Sequence, residues 1–238
     1  MLSGCQDSTT ALFWAKLQFD RVLAITFDYG QRHVREIEAA RKVAEMAGLS
    51  PEDHEVVVIP NILKGTSPLV SAQPLEMDAI IGDRVETTFV PMRNPFFLTV
   101  AANRAMVAGA DHLVTGVCQM DNANYPDCRE GFILSMERMV RQAMGAEDFF
   151  IHAPLMFRSK AETIALAKDL QTAHKLPAWD ALAYTHTCYS GTYPPCGTCH
   201  ACVLRAEGFD LASEADPLIL RAAEAGLMAS PTMLEYLN

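Results

Sequence analysis

The stretch SGCQDSTT, residues 3–10, decides the fold predicted for this sequence of 238 residues. Here a loop of small and hydroxylated residues runs directly into a helical pattern at residues 7–17. The free N–H groups and the dipole at the start of a helix attract an anion, and serine and threonine hydroxyls add donors. The loop differs from the G-x-x-x-x-G-K-[ST] loop of common NTPases. From spacing alone, a phosphate-binding loop and a plain helix cap stay equally open.

Strand and helix patterns alternate after this loop. Apolar runs at residues 21–27 and 55–59 are typical of parallel strands buried on both faces, and residues 32–49 between them have a helical apolar period. Repeated units of this kind predict an α/β fold, a doubly wound parallel sheet with the site at the carboxyl ends of its strands. Residues 60–88 have no clear period and are predicted to be a long loop or lid beside that site.

Two helix starts are predicted further along the chain. Asn94 is expected to cap a helix that runs to residue 108, because proline follows it at the first helical position. Ser159 and Glu162 have the spacing of a capping box. The remaining predicted elements are strands at residues 112–117 and 149–155 and a helix at residues 131–144.

Composition excludes several classes of protein. The net charge of −10 and the pI of about 5.1 disfavour a broad nucleic-acid interface, which is normally basic. No apolar run is long enough to span a bilayer, and the start of the chain lacks the pattern of a signal peptide. We therefore expect a protein of the cytoplasm that contacts neither membrane nor nucleic acid.

Four of the seven cysteines lie close together near the C-terminus. Cys188, Cys196, Cys199 and Cys202 have the spacing C-x7-C-x2-C-x2-C. Four thiolates are the usual ligands of a structural zinc ion, so this cluster predicts a zinc site. An iron–sulfur cluster and redox-active cysteines are the alternatives. Cys118 and Cys128 lie outside the cluster and are predicted to be partly buried thiols.

Several motifs occur in the order of a known family. The sequence contains SGCQDSTT, TFDYGQRH, FVPMRN, TGVCQMDNANYPDCR, PLMFRSKAET and TCYSGTYPPCGTCHACVLRAEGF. Together they resemble the QueC family of 7-cyano-7-deazaguanine synthases, in the ATP-pyrophosphatase superfamily. Cys5 departs from that family, which generally has glycine there, and Met92 stands where glycine is frequent.

The resemblance implies both an architecture and a reaction. It implies an adenine nucleotide alpha hydrolase-like domain at residues 1–183 and a zinc-binding, helical region at residues 184–238. It also implies an ATP-dependent ligase of queuosine biosynthesis, which converts 7-carboxy-7-deazaguanine and ammonia into the nitrile. Zinc, ATP and magnesium are the expected cofactors, and a homodimer is the expected assembly.

The resemblance also implies roles for particular residues. Asp7, Lys160 and Asp127 would be catalytic, with Asp7 a magnesium ligand. Lys160 lies in the first turn of a predicted helix, where the dipole disfavours a cation and so favours an anionic partner. Substrate would contact Arg93, Asn94, Tyr125 and Arg129. The nucleotide would contact the first loop and the end of the second strand: Leu2, Ser3, Gly4, Cys5, Gln6, Ser8, Thr9, Thr10, Phe27, Asp28, Tyr29 and Gly30.

The start of the recorded chain raises a structural expectation. In the superfamily a buried strand precedes the phosphate loop, whereas here Met1 and Leu2 alone precede Ser3. An absent central strand would leave unpaired backbone groups, each costing about 1–3 kcal/mol. We therefore expect an upstream segment, or another segment of the chain, to occupy that place.

Three other functions stay open. A relative with the same fold but a changed acceptor would attach a deazaguanine to a different molecule, such as a protein amine. A tRNA-thiolating enzyme would need a basic surface, which the net charge disfavours. An inactive, zinc-binding relative would have lost ATP binding through Cys5.

Overall fold

A computed structural model describes residues 1–59, 62–63, 67–71, 80–81, 85–120 and 125–229. Its helices are α1 (Gln6–Gln18), α2 (Arg35–Met46), α3 (Arg93–Val107), α4 (Glu130–Met144), α5 (Lys160–Thr172), α6 (Ala178–Leu182), α7 (His200–Leu211) and α8 (Pro217–Glu224). Its strands are β1 (Ala24–Asp28), β2 (His54–Val58), β3 (Ile80–Ile81), β4 (Val85–Glu86), β5 (His112–Val114) and β6 (Phe150–His152). Among these helices, none is both long and apolar enough to cross a lipid bilayer.

The strands pair as the alternating pattern predicts. β1 is parallel to β2, and β5 is parallel to β6. β3 and β4 form a short antiparallel pair within the predicted loop at residues 60–88, part of which lies outside the described residues. The predicted α/β class is confirmed, whereas the described strands form separate two-stranded sheets and not one doubly wound sheet.

The first two residues lie between the two parallel pairs. The Leu2 N–H donates to the Ile25 carbonyl at 2.8 Å, and the Met1 ammonium donates to the Val114 carbonyl at 2.6 Å. Burial lowers the pKa of this amino group to about 5. These two residues thus link the inner edges of β1 and β5, the place where the sequence led us to expect a strand. The expectation of an upstream segment stays a prediction.

Helices pack on both faces of the strands. Neighbouring residues of β1 point to opposite faces, since side chains alternate along a strand. Ala24 belongs to one apolar cluster with α1, α2, α5, α6 and α7, whereas Phe27 belongs to a second cluster with α3 and α4. Fully buried members such as Phe13 and Leu98 each contribute about 1.5–3 kcal/mol through burial. The resulting layers place the carboxyl end of β1 beside the loop that precedes α1.

Of the two predicted helix starts, one is confirmed and one is wrong. At α5 the Ser159 hydroxyl accepts from the Glu162 N–H at 3.2 Å, and the Glu162 carboxylate accepts from the Ser159 N–H at 2.7 Å. Asn94 is not the cap of α3, which begins one residue earlier. The Asp127 carboxylate instead accepts from the Asn94 N–H at 3.3 Å, so a distant residue supplies the acceptor that this helix end needs.

A buried ion pair fastens the C-terminal region to the rest of the chain. Arg205 of α7 is 4% exposed and binds both oxygens of Asp216, with Nε–Oδ2 at 2.6 Å and Nη2–Oδ1 at 2.8 Å. The same guanidinium donates to the Thr185 hydroxyl and the Leu182 carbonyl. Because a buried charge is tolerated only when its donors are bonded, this arrangement fixes α7 and the start of α8 against the end of α6.

Gly4 allows the first loop to touch α2. Its φ is +89°, and a Cβ there would lie 2.2 Å from the Glu36 carbonyl oxygen and 2.7 Å from the Ala40 nitrogen. The Gly4 carbonyl also accepts from the His186 N–H at 2.9 Å. A side chain at this position would therefore force the loop away from both α2 and the segment that leads to the cysteine cluster.

Comparison of Gly4→Ala with Gly30→Ala tests this contact. Gly30 has a similar φ of +80°, but a Cβ there would have no neighbour within 4 Å. We expect Gly30→Ala to cost about 1–2 kcal/mol from the backbone conformation alone. Gly4→Ala should cost at least twice as much, because backbone atoms must also move. Urea unfolding measures both, and equal losses would contradict the close contact.

Candidate functional site

A cavity of about 380 Å³ opens beside the first loop. Its wall includes most of the predicted site residues, namely Leu2, Ser3, Cys5, Asp7, Ser8, Phe27, Tyr29, Arg93, Asn94, Tyr125, Arg129 and Lys160. The size is within the range of sites that hold a small organic ligand. Residues distant in sequence therefore meet around one space, at the carboxyl end of β1.

Other predicted site residues do not line this cavity. They are Gly4, Gln6, Thr9, Thr10, Asp28, Gly30 and Asp127. Thr9 and Thr10 are fully buried, and their hydroxyls donate to carbonyls one turn back in α1, so they serve the helix. Asp28 accepts from the Gly30 N–H and shapes the turn after β1. The carboxamide of Gln6 is buried with neither polar atom bonded within the described residues.

Cys5 is the last residue of the first loop and caps the start of α1. Its φ of −80° is ordinary, so the backbone at this position does not require glycine. Its sulfur accepts from the Ser8 N–H at 3.5 Å and lies 3.1 Å from the Ser3 hydroxyl. Burial, together with the carboxylates of Asp7 and Glu36, raises the pKa of the thiol, which therefore stays protonated at neutral pH. The side chain thus occupies a donor that an anion would otherwise bind.

Lys160 and Asp7 form an ion pair in the cavity wall. Lys160 Nζ lies 2.6 Å from Asp7 Oδ2, and both side chains are less than one-fifth exposed. Asp7 is therefore the anionic partner that we expected for Lys160 from its place in the first turn of a helix. Asp7 Oδ1 is buried and has no hydrogen-bond partner among the described residues. That oxygen is an acceptor available to a ligand.

Arg93 lies at the other side of the cavity among aromatic and acidic groups. Burial opposes its charge, but Tyr29, Tyr125 and Asp127 together raise its pKa, so it stays a cation. Asp127 is 6% exposed, and burial raises the pKa of its carboxyl group. The Tyr125 hydroxyl lies 2.6 Å from the Thr88 hydroxyl. This side of the cavity can bind an anionic group through Arg93 and Arg129.

Several cavity residues were not singled out by the sequence. At the start of α2, His33 Nε2 lies 3.1 Å from Glu36 Oε2, and both residues line the cavity. Thr187 and Tyr189 reach it from the segment around the first cluster cysteine. His33 belongs to the motif TFDYGQRH, but a single motif gives no indication of what a side chain faces once the chain has folded.

The four predicted zinc ligands are brought together. All four sulfur atoms lie within 4.8 Å of one another. The Cys199 and Cys202 sulfurs are 3.4 Å apart, and those of Cys196 and Cys202 are 3.9 Å apart. Tetrahedral zinc with Zn–S bonds of about 2.3 Å requires sulfurs about 3.8 Å apart. The geometry therefore fits a zinc ion.

Backbone and side-chain donors support these sulfurs. The Cys196 N–H donates to the Cys188 sulfur at 3.3 Å, and the Cys199 N–H donates to the Cys196 sulfur at 3.4 Å. The Cys199 and Cys202 thiols donate to the Cys188 sulfur and lower its pKa, and the same contacts raise the pKa of Cys199 and of Cys202. Donors of this kind orient metal ligands.

Replacement of one cluster cysteine tests the metal site. We expect Cys196→Ser to lose bound zinc and to lower the melting temperature, because three thiolates leave the tetrahedron incomplete. Cys118→Ser is the matched control, since Cys118 is a cysteine outside the cluster, packed with Ala11 and Leu155. It should keep one zinc per chain. Metal analysis of both variants decides, and full zinc content in Cys196→Ser would contradict the assignment.

Comparison with known proteins identifies the family of this chain. The family model described as queuosine biosynthesis protein QueC matches residues 1–213. A 7-cyano-7-deazaguanine synthase of Laribacter hongkongensis is 46% identical over 94% of this chain and 94% of its own length. Proteins of the same name from Chromobacterium violaceum and Gloeobacter violaceus are 46% and 44% identical, over 94% and 92% of this chain and 94% and 93% of their own. This chain belongs to the QueC family.

Proposed function

We propose that this chain is an ATP-dependent 7-cyano-7-deazaguanine synthase. It converts 7-carboxy-7-deazaguanine and ammonia into the nitrile, a step of queuosine biosynthesis. The observation that carries the proposal is the single cavity in which the first loop and Lys160 face Arg93 and Arg129. This arrangement would hold a polyphosphate and a carboxylate side by side. Relatives with the same name, similar over nearly the whole chain, support it.

The first half of the reaction activates a carboxylate. A carboxylate is a poor electrophile, since its leaving group would be oxide. Attack of its oxygen on the α-phosphate of ATP forms an acyl adenylate and releases pyrophosphate. Ser3, Ser8 and the start of α1 would hold the pyrophosphate, and Lys160 would stabilise the charge that develops on it. Arg129 would orient the carboxylate for in-line attack.

The second half makes the nitrile at the same site. Ammonia attacks the acyl carbon, the bond to AMP breaks, and an amide results. The amide oxygen then attacks the α-phosphate of a second ATP. Loss of AMP and of the remaining N–H protons gives the nitrile. Both activations are attack by an oxygen on the same phosphate, so one set of positioned cations serves both.

The metals have distinct places in this proposal. Cys188, Cys196, Cys199 and Cys202 would hold zinc, which when bound stabilises the C-terminal region. Asp7 would be a ligand for magnesium, because its Oδ1 is a buried oxygen without a partner in the described structure. Magnesium when bound neutralises part of the charge of the triphosphate.

The proposal extends to recognition and assembly. Asn94 and Tyr125 line the cavity and would bind the guanine-like edge of the substrate, while Asp127, which accepts from the Asn94 N–H, would position Asn94. We also propose a doubly wound sheet, a boundary between two regions after residue 183, a homodimer and a place in the cytoplasm. The C-terminal region would include residues 230–238, which lie outside the described residues.

Mass spectrometry of the products tests the function. With 7-carboxy-7-deazaguanine, ammonium, magnesium and ATP, we expect the nitrile and two AMP for each nitrile. Lys160→Met should lower kcat about 100-fold or more, since one charge on the transition state is lost. Absence of nitrile, with another conjugate of the deazaguanine present, would instead indicate a changed acceptor. Unreduced turnover by Lys160→Met would exclude the proposed role of this lysine.

Cys5 is expected to weaken the binding of ATP. In Cys5→Gly the Ser8 N–H becomes free to bind a phosphate oxygen, and one such cap bond is worth about 1 kcal/mol. The KM for ATP should therefore fall several-fold. Cys5→Ala keeps a Cβ but removes the sulfur, and it should give a similar decrease. If only Cys5→Gly improves ATP binding, the Cβ and not the sulfur is responsible. If neither does, the cap does not compete with ATP.

A further inference from the structure

We propose that Glu36, positioned by His33, binds the ammonium ion and accepts a proton from its nitrogen during attack on the acyl adenylate. The inference rests on the proposed function and assigns the site of its third reactant. Neither residue takes part in the binding of ATP or of the deazaguanine as described above. Both line the same cavity as the first loop and Lys160.

The pair is enclosed and specific in its geometry. His33 Nε2 lies 3.1 Å from Glu36 Oε2, and the two side chains are 5% and 14% exposed. Glu36 lies in the first turn of α2, and Gly4 of the first loop lies against the backbone of that turn. Glu36 lines the same cavity as the first loop without being part of that loop.

The surroundings of His33 Nδ1 indicate which ring nitrogen donates to Glu36. His33 Nδ1 is buried and has no hydrogen-bond partner among the described residues. A proton on Nδ1 would be a buried donor without an acceptor, which costs about 1–3 kcal/mol. The ring therefore carries its proton on Nε2 and donates it to Glu36. The Nε2–H of His33 therefore points at the Glu36 carboxylate and fixes its orientation.

Glu36 differs in its partner from the other acid of the cavity. Within the described part of the chain, Asp7 and Glu36 are the carboxylates that line the cavity. Asp7 is paired with Lys160. The ion pair that Glu36 makes within the described residues is with His33, and no lysine or arginine of those residues is paired with it. Glu36 is therefore an enclosed negative charge that a cationic ligand would neutralise.

The proposed reactants differ in charge, and the charge of each one decides whether Glu36 attracts or repels it. ATP and 7-carboxy-7-deazaguanine are anions, which an enclosed carboxylate repels. Ammonium is the cation among the three reactants. It is small, and it carries N–H donors that match carboxylate oxygens. Attraction between opposite charges is strengthened where solvent is excluded, so Glu36 concentrates ammonium beside the adenylate.

The same carboxylate can accept a proton during attack. As ammonium approaches the acyl carbon, it passes one proton to Glu36, and the resulting ammonia forms the C–N bond, which gives a tetrahedral adduct with a positive nitrogen. That nitrogen loses a second proton to a phosphate oxygen of the departing AMP as the C–O bond to AMP breaks. The products are the amide, AMP that carries one proton, and a second proton that stays on Glu36 until it exchanges with solvent. His33 acts as a positioning residue.

Glu36→Gln tests the proposal, because glutamine keeps the acceptor for His33 but loses the charge. We expect release of pyrophosphate from ATP and 7-carboxy-7-deazaguanine, measured without ammonium, to stay within about twofold of wild type. The KM for ammonium should rise at least tenfold, which corresponds to about 1.4 kcal/mol. Hydroxylamine is uncharged at neutral pH, so its conversion to the hydroxamate should fall much less than amide formation.

Two further variants keep the result interpretable. Glu38→Gln is the matched control, since Glu38 is an exposed glutamate of the same helix, and it should leave the KM for ammonium unchanged. Glu36→Asp keeps the charge, and it should bind ammonium more tightly than Glu36→Gln. If Glu36→Gln fails to fold, Glu36→Asp decides: its shorter carboxylate should raise the KM for ammonium while turnover with hydroxylamine changes much less, and an unchanged KM for ammonium overturns the inference.

Three results would overturn the inference. A wild-type KM for ammonium in Glu36→Gln would show that the charge attracts no reactant. A raised KM for magnesium–ATP, with that for ammonium unchanged, would make Glu36 a metal ligand. Absence of pyrophosphate release from the wild-type protein would contradict the proposed function itself, and the inference with it. Pyrophosphate release thus separates failure of the function from failure of the ammonium site.

Discussion

The contact of Gly4 with α2 is the constraint on which the site depends. The Glu36 carbonyl would lie 2.2 Å from a Cβ at this position, so the loop can approach the helix only without a side chain. The same glycine accepts a hydrogen bond from His186, which leads to the cysteine cluster. One residue thereby joins the first loop, the helix that carries Glu36 and the C-terminal region. Displacement of this loop would separate groups that must act together.

Charge is distributed unevenly around the cavity. Lys160 lies near the first loop, whereas Arg93 and Arg129 line another part of the cavity wall. These cations suit a polyphosphate and a carboxylate, the two anions of the proposed reaction. Glu36 has the opposite sign and is paired with His33. Because preorganised charges act most strongly where water is excluded, such an arrangement can orient three reactants without covalent participation of the protein.

The cysteine cluster contributes to the cavity as well as to stability. Thr187 and Tyr189 flank Cys188 and line the cavity, and Tyr189 packs near the ring of His33. Arg205, just beyond Cys202, is bonded to Asp216 and to Thr185. A metal held by this cluster, together with the ion pair, would keep one wall of the cavity in place. Loss of zinc is expected to disturb the site as well as to unfold its support.

The sequence by itself determined the features that depend on neighbouring residues. The capping box of α5 and the cysteine ligand set are fixed by spacings of a few residues, and the α/β class follows from local apolar periods. The loop that leads into α1 is equally local.

Only the tertiary structure decided which distant groups meet. Lys160 pairs with Asp7 across 153 residues, and Asp127 takes over the cap that the sequence assigned to Asn94. Cys5 has an ordinary backbone conformation, and its sulfur accepts from the Ser8 N–H. Glu36 became a candidate because, within the described residues, it is paired with His33 and with no lysine or arginine, a property of the folded chain. Spacing along a chain defines local geometry, whereas burial and charge pairing arise when separate elements pack together.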